Sequence, residues 1–129
     1  MPLPDFFVIG TFKSGTTALS YLLRQHHRIF LHPVVKETNF FAPDVRLGFR
    51  IGDRADYEDL FRSAAPDQKI GEICPSYLYS QVAAGLIRRT VPDAKLIAVL
   101  RDPAERAFSD FMMHVRDGRR RPEDLRPQI

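Results

Sequence analysis

The chain reads as an α/β protein, a parallel sheet flanked by helices with a P-loop-like connection after its first strand. Three features of the sequence point there. Short apolar runs alternate with segments of helical period, as in strand–helix–strand units. The run Phe6–Ile9 meets Gly10, and Gly15 follows at the G-x-x-x-x-G spacing of a phosphate-binding loop. The clearest apolar strand, within "AKLIAVLRDP", ends at Arg101 and Asp102 where a second helix begins. In a parallel sheet both junctions fall at the carboxyl ends of strands, where ligands gather.

Each element has its own reason. Residues 5–10 are aromatic and β-branched and are stopped by glycine, which predicts a buried strand. From Thr16 the period turns helical, with Leu19, Leu22 and Leu23 on one side. "RIFLHP" predicts a second strand closed by Pro33, and "KETNFFAPD" a polar-aromatic loop. Tyr57, Leu60, Phe61 and Ala64 recur at helical spacing and predict a helix ended by Pro66. "QKIGEICPSYL" holds a third strand and a Pro-Ser turn. Ser80 is placed to cap a helix over "QVAAGLIRRTV", with Val82, Ala83, Leu86 and Ile87 inward. Leu96–Leu100 predict the fourth strand. Asp102, Pro103 and Glu105 then give a capping box for a helix whose core stripe is Phe108, Phe111, Met112 and Val115.

At 129 residues the chain predicts a single domain over 1–129, with a frayed tail over 118–129. Its 44% hydrophobic and 27% charged content suit a water-facing globular surface, and the net charge of +3 is too small to argue for nucleic acid. The Arg119–Arg121 run reads as a solvated tail. Cys74 is the one cysteine, so no intrachain disulfide can form, which suits a reducing compartment. Apolar runs fall short of the ~20 residues of a membrane span, and "MPLPDFF" lacks the regions of a signal peptide. The expectation is therefore a cytoplasmic setting, with neither membrane nor nucleic acid as partner. No His, Cys, Asp and Glu group has ligand spacing, so no metal is expected.

The first junction, "GTFKSGTT", is dense in groups that hold an anion. Two glycines let backbone N–H groups converge, and the helix that follows adds a partial positive charge. Lys13 brings a mobile charge; Ser14, Thr16 and Thr17 bring hydroxyls. A tight turn with a solvated lysine is the plain alternative. A Walker A loop would place Lys and then Ser or Thr after the second glycine, whereas here Thr16 and Thr17 follow Gly15. The usual magnesium and γ-phosphate contacts are thus missing, which suits an anion cradle that needs no metal.

With its partner segments, this loop resembles the sulfotransferases that use 3′-phosphoadenosine 5′-phosphosulfate. In that family a loop like "FKSGTT" holds the 5′-phosphosulfate. A strand-to-helix unit like "LRDPAERAFSDF" holds the 3′-phosphate through an arginine and a serine eight positions on, where Arg101 and Ser109 stand. "KETNFF" and "GEICPSYL" resemble segments of the carbohydrate-modifying, heparan-type branch, and Ala18 suits that branch too.

The resemblance implies a sulfotransferase-type fold and a donor site made of Lys13, Ser14, Gly15, Thr16, Thr17, Arg101 and Ser109. It implies Lys13 and Glu37 as catalytic residues, Glu37 taking the acceptor's proton. The partners implied are the nucleotide donor and an acceptor hydroxyl or amine, a carbohydrate in that branch. Glu72 is a second candidate carboxylate, unless it ends a strand facing solvent, and His32 is a fallback base. Glu37 paired with Lys36 or Arg46 on the surface is the plain alternative. One departure is that Ala42 and Pro43 separate the aromatic pair from Asp44. The resemblance covers about the N-terminal half of such a domain, so the chain is expected to be truncated, with an apolar surface that invites self-association. A non-catalytic nucleotide-binding fragment and a P-loop kinase or NTPase, with Asp102 as its acid, are the other readings.

Overall fold

The structure, a computed structural model, describes residues 2–124. Phe6–Gly10 form strand β1, and Thr16–Arg24 form helix α1 after the glycine loop. β2 follows at Ile29–Leu31, α2 at Arg54–Asp59 and β3 at Lys69–Ile73. A 3₁₀ turn over Pro75–Leu78 leads to α3, Ala83–Thr90. β4, Lys95–Ala98, then runs into α4, Pro103–Arg116. A short 3₁₀ turn covers Pro122–Asp124, so part of the segment expected to fray has local structure; residues 125–129 of that tail lie outside the described residues.

The four strands pair in parallel in the order β2-β3-β1-β4. The chain leaves β1 toward β2 on one side, and after β3 it crosses to β4 on the other. The β1–β4 crevice is therefore where the strand order turns, the place open parallel sheets keep for ligands. Both anion-suited junctions open onto it. Their loops are tied across the crevice: Thr11 N–H and Thr11 Oγ1 both donate to the Val99 carbonyl at 2.8 Å, and Val99 N–H donates to the Gly10 carbonyl at 2.8 Å.

The core lies mainly over β1 and β3. Phe7, Phe41, Tyr57, Phe61 and Tyr77 are buried together, each full burial worth about 1.5–3 kcal/mol before entropy. Phe7 meets Phe41 edge-on at 5.8 Å, and Phe40 stacks on Tyr57 at 4.1 Å. The aromatic pair of "KETNFF" is thus a core anchor for its loop. Gly71 is required by register: it pairs with Phe6, and a Cβ there would lie 2.2 Å from the Phe6 ring.

The expected elements all form, with corrections. α2 ends at Asp59 and gives way to turns, although Tyr57 and Phe61 do reach the core. Val82 is exposed, because α3 begins only at Ala83; the Ser80 hydroxyl accepts from Val82 and Ala83 N–H groups at its foot. β4 is shorter than expected and, unlike the other strands, exposed along its whole length. α4 fully buries none of its residues: of its expected core stripe Phe108, 51% exposed, and Met112 are open, and Phe111 and Val115 are only half-buried. Asp102 caps α4 by accepting from Glu105 N–H at 3.0 Å, while the Glu105 carboxylate turns to Arg101 at 3.7 Å rather than closing the box. Glu72 does not face solvent. It is 4% exposed, inside the core.

Candidate functional site

Lys13, Gly15, Thr16, Thr17, Arg101 and Ser109 line one open cleft of about 220 Å³ at the β1–β4 crevice. Residues from the two ends of the sequence thus share one surface. Arg101 Nη1 donates to the Lys13 carbonyl at 3.2 Å and fixes the two loops to each other. Gly15 takes the left-handed backbone (φ 89°) that turns the chain into α1, and nothing stands within 4 Å of where its Cβ would be. Ser109 sits half-buried on α4, two turns beyond Asp102.

The cleft is built for an anion. The first turn of α1 has no side-chain cap and no acidic residue, so its N–H groups and dipole face the cleft uncompensated. Ser14 does not line the cleft wall, but its hydroxyl is buried with no hydrogen-bond partner, the one such side-chain atom among the described residues. Arg101 is paired only weakly, to the exposed Glu105 at 3.7 Å.

Glu37 lies outside the cleft lining. Its carboxylate pairs with Lys36 at 3.5 Å, and Lys36 Nζ donates to Thr17 Oγ1 at 2.9 Å. The surface ion pair is therefore present, and its lysine also reaches Thr17 of the cleft wall. Both side chains stay about a third exposed.

The other candidates have structural duties. Asp44 accepts from Ser80 Oγ at 2.6 Å and from Gln81 N–H at 2.8 Å; the Ser80 hydrogen bond above all holds its carboxyl below the usual range. His32 Nδ1 accepts from Val34 and Val35 N–H groups, and burial, then Arg24, keeps the imidazole below its ordinary value. Asp102 is occupied by the α4 cap. Glu72 is surrounded by hydroxyls: Thr38 Oγ1 and Tyr77 OH donate to Oε1 at 2.5 and 2.7 Å, and Tyr57 OH donates to Oε2 at 2.5 Å. Burial pushes its carboxyl up, against the pull of these three donors. The same burial raises the Tyr57 and Tyr77 hydroxyls and pushes the Cys74 thiol up to about 12, so that cysteine is inert. Sequence reasoning missed this network, because nothing in "KETNFF" or "GEICPSYL" shows which hydroxyls will meet which carboxylate.

A parallel sheet with an uncapped glycine loop and an arginine–serine pair at its turning point has the layout of an α/β domain that holds an anionic ligand at its strand ends. The sulfotransferase domain family matches residues 3–119, and the chain belongs to that family of transferases. It is 39% identical over 109 residues to the membrane-associated sulfotransferase kil1 of Dictyostelium discoideum, covering 84% of this chain and 22% of that protein. It is 37% identical over 109 residues to the heparan sulfate glucosamine 3-O-sulfotransferase 3B1 of Mus musculus, covering 84% of this chain and 26% of that one. A solved sulfotransferase from Alicyclobacillus acidocaldarius superposes with a TM-score of 0.85 at 34% identity, over 94% of this chain and 53% of that chain. The chain thus spans about a quarter of the length of the curated relatives it matches.

Among the described residues no helix is long and apolar enough to cross a membrane, and no three His, Cys, Asp or Glu side chains gather as a metal site. The expected cytoplasmic setting gains no support from relatives of which one is named membrane-associated.

Proposed function

We propose that this domain transfers a sulfuryl group from 3′-phosphoadenosine 5′-phosphosulfate to a hydroxyl or amine of a carbohydrate. The observation that carries the reading is the convergence of Lys13, Gly15, Thr16, Thr17, Arg101 and Ser109 on one cleft. Two phosphate groups on one nucleotide need two cationic, hydroxyl-bearing sites at a fixed separation, and the loops after β1 and β4 supply one each. The fit is supported by the uncapped start of α1 and by the unpartnered Ser14 hydroxyl. The carbohydrate class rests on the names of the relatives, heparan sulfate glucosamine 3-O-sulfotransferases and carbohydrate sulfotransferase 15.

The donor supplies the activated sulfuryl group; the remaining tasks fall to the chain. Lys13 brings positive charge to the cleft where negative charge grows on a leaving oxygen. The N–H groups from Ser14 to Thr17 bind the 5′-phosphate end, and Arg101 and Ser109 select the 3′-phosphate. Glu37 takes the proton of the acceptor hydroxyl or amine, a role supported by its pairing with Lys36, which in turn donates to Thr17 of the cleft wall. Water exclusion and acceptor binding need surfaces beyond the cleft described here.

Calorimetric titration with adenosine 3′,5′-bisphosphate, in the absence of magnesium, tests the reading. Wild type binds; Lys13→Ala and Arg101→Ala each weaken binding by roughly tenfold or more, as losing a charge-assisted contact predicts. A folded wild type that takes up no bisphosphate overturns it.

A further inference from the structure

Glu72 is a fully buried carboxyl with no cation among its hydrogen-bond partners. Burying such a group costs several kcal/mol unless its oxygens are satisfied, and its neighbours on β3, Ile70 and Ile73, show that apolar side chains fit the same strand. What the carboxyl gains is reach. Its three donors come from three different segments: Thr38 from the "KETNFF" loop, Tyr57 from α2 and Tyr77 from the 3₁₀ turn. The segment from Pro33 to Asn39 has no regular secondary structure. Within it Thr38 is buried, its Oγ1 on Glu72 and 3.2 Å from Tyr77 OH and its carbonyl accepting from Ile51 N–H at 2.9 Å, whereas, among the described residues, Lys36 and Glu37 have polar side-chain contacts only with each other and, for Lys36, with Thr17. Thr38 Oγ1 also accepts from Phe40 N–H at 3.1 Å, so this one hydroxyl ties the loop's backbone to Glu72.

We propose that Glu72 is a positioning residue which, through Thr38, seats Lys36 and Glu37 against the phosphate loop. The line of contacts runs from Glu72 to Thr38, along the backbone to Lys36, and from Lys36 Nζ to Thr17 in the cleft wall. Glu72 itself touches no cleft residue in this chain of contacts; Ser20, Arg24 and Lys36 line with it a partly open hollow of about 10 Å³, room for about one water. The inference rests on the reading of the cleft as a bisphosphate site, and its test separates the two.

Bisphosphate titration is run on Thr38→Val, Thr38→Ser, Glu72→Gln, Glu72→Leu, Lys36→Met and the Thr38→Val/Lys36→Met double variant, with thermal unfolding for each. Thr38→Val weakens binding roughly threefold to tenfold, because Lys36 loses its seat. Thr38→Ser and Glu72→Gln keep an acceptor–donor pair and bind within about twofold of wild type. The double variant binds no more weakly than Lys36→Met alone, since both act through one contact. If Glu72→Leu does not fold, the threonine variants still decide. Folded Thr38→Val with wild-type affinity, or additive effects of Thr38→Val and Lys36→Met, overturns the proposal. A wild type that binds no bisphosphate sinks the cleft reading instead; the tether is then judged by trypsin cleavage after Lys36. Faster cleavage in Thr38→Val but not in Thr38→Ser supports it, and equal rates in all three overturn it.

Discussion

β3 and β4 flank the same central strand, both in parallel, and both are written largely in apolar residues, yet they live in opposite surroundings. β3 is buried from Ile70 to Ile73. β4 is exposed at every residue, with Leu96 53% exposed, and Leu100 just beyond it reaches 75%. The difference lies in what covers each strand. The loop from Thr38 to Ala42, α2 and the 3₁₀ turn lay aromatic rings over β1 and β3, whereas α4 lies beyond β4 with no buried residue. The cleft at the β1–β4 crevice straddles this divide. Its glycine loop stands on the packed half, and Arg101 and Ser109 stand on the open half, joined by the Arg101–Lys13 hydrogen bond and the Thr11–Val99 pair. Burial is therefore unevenly distributed: the packed half carries the core, and the open half presents Arg101 and Ser109 with little burial of its own.

The sharpest way to break this comparison is to cut the packed half. Phe7→Ala removes a ring with no exposed surface and is expected to cost about 3–5 kcal/mol, much of the 5–15 kcal/mol that holds an ordinary domain. Urea denaturation followed by circular dichroism reads it; a loss below about 1 kcal/mol would deny that the core sits there. Asp102→Ala, on the open half, removes the α4 cap and is expected to cost only about 1 kcal/mol. Amide exchange should show that loss confined to α4, and global destabilisation would show the halves to be one cooperative body. Gly15→Ala meets no neighbour within 4 Å, so its cost of about 1 kcal/mol is backbone strain alone, with bisphosphate binding weakened as the loop shifts. Leu96→Ser, at the exposed strand, is expected to stay within about 0.5 kcal/mol of wild type in the same denaturation assay.

Glu72 sharpens the comparison by pH. Because burial raises its folded-state value, the stability it contributes is full below its ordinary 4.5 and is lost as pH rises through the raised value. Glu72→Gln cannot ionise and escapes that loss. Its urea midpoint is therefore expected to gain on wild type as pH rises above 4.5. Parallel curves for the two proteins would mean that the carboxyl is ionised as readily inside the fold as outside it.

The sequence by itself determined the order of elements, the Asp102 cap and, Ser14 apart, the residues that line the cleft. Those follow from local chemistry: paired glycines in a strand–loop–helix unit, a short acid before Pro103, and apolar periods of two or 3.6. It did not determine which apolar face would be covered. "AKLIAVL" reads as the best strand of the chain and proves the most exposed, because burial depends on which segments return to cover a face, and a local pattern holds no record of that. The same limit hid Glu72. Its residue type and its place on a strand were legible, but the Thr38, Tyr57 and Tyr77 hydroxyls that enclose it come from positions 34, 15 and 5 residues away. Only the tertiary structure decided that the carboxyl turns inward, because only the parallel register of β1, β2 and β3 and the aromatic loop over them bring those hydroxyls to one point.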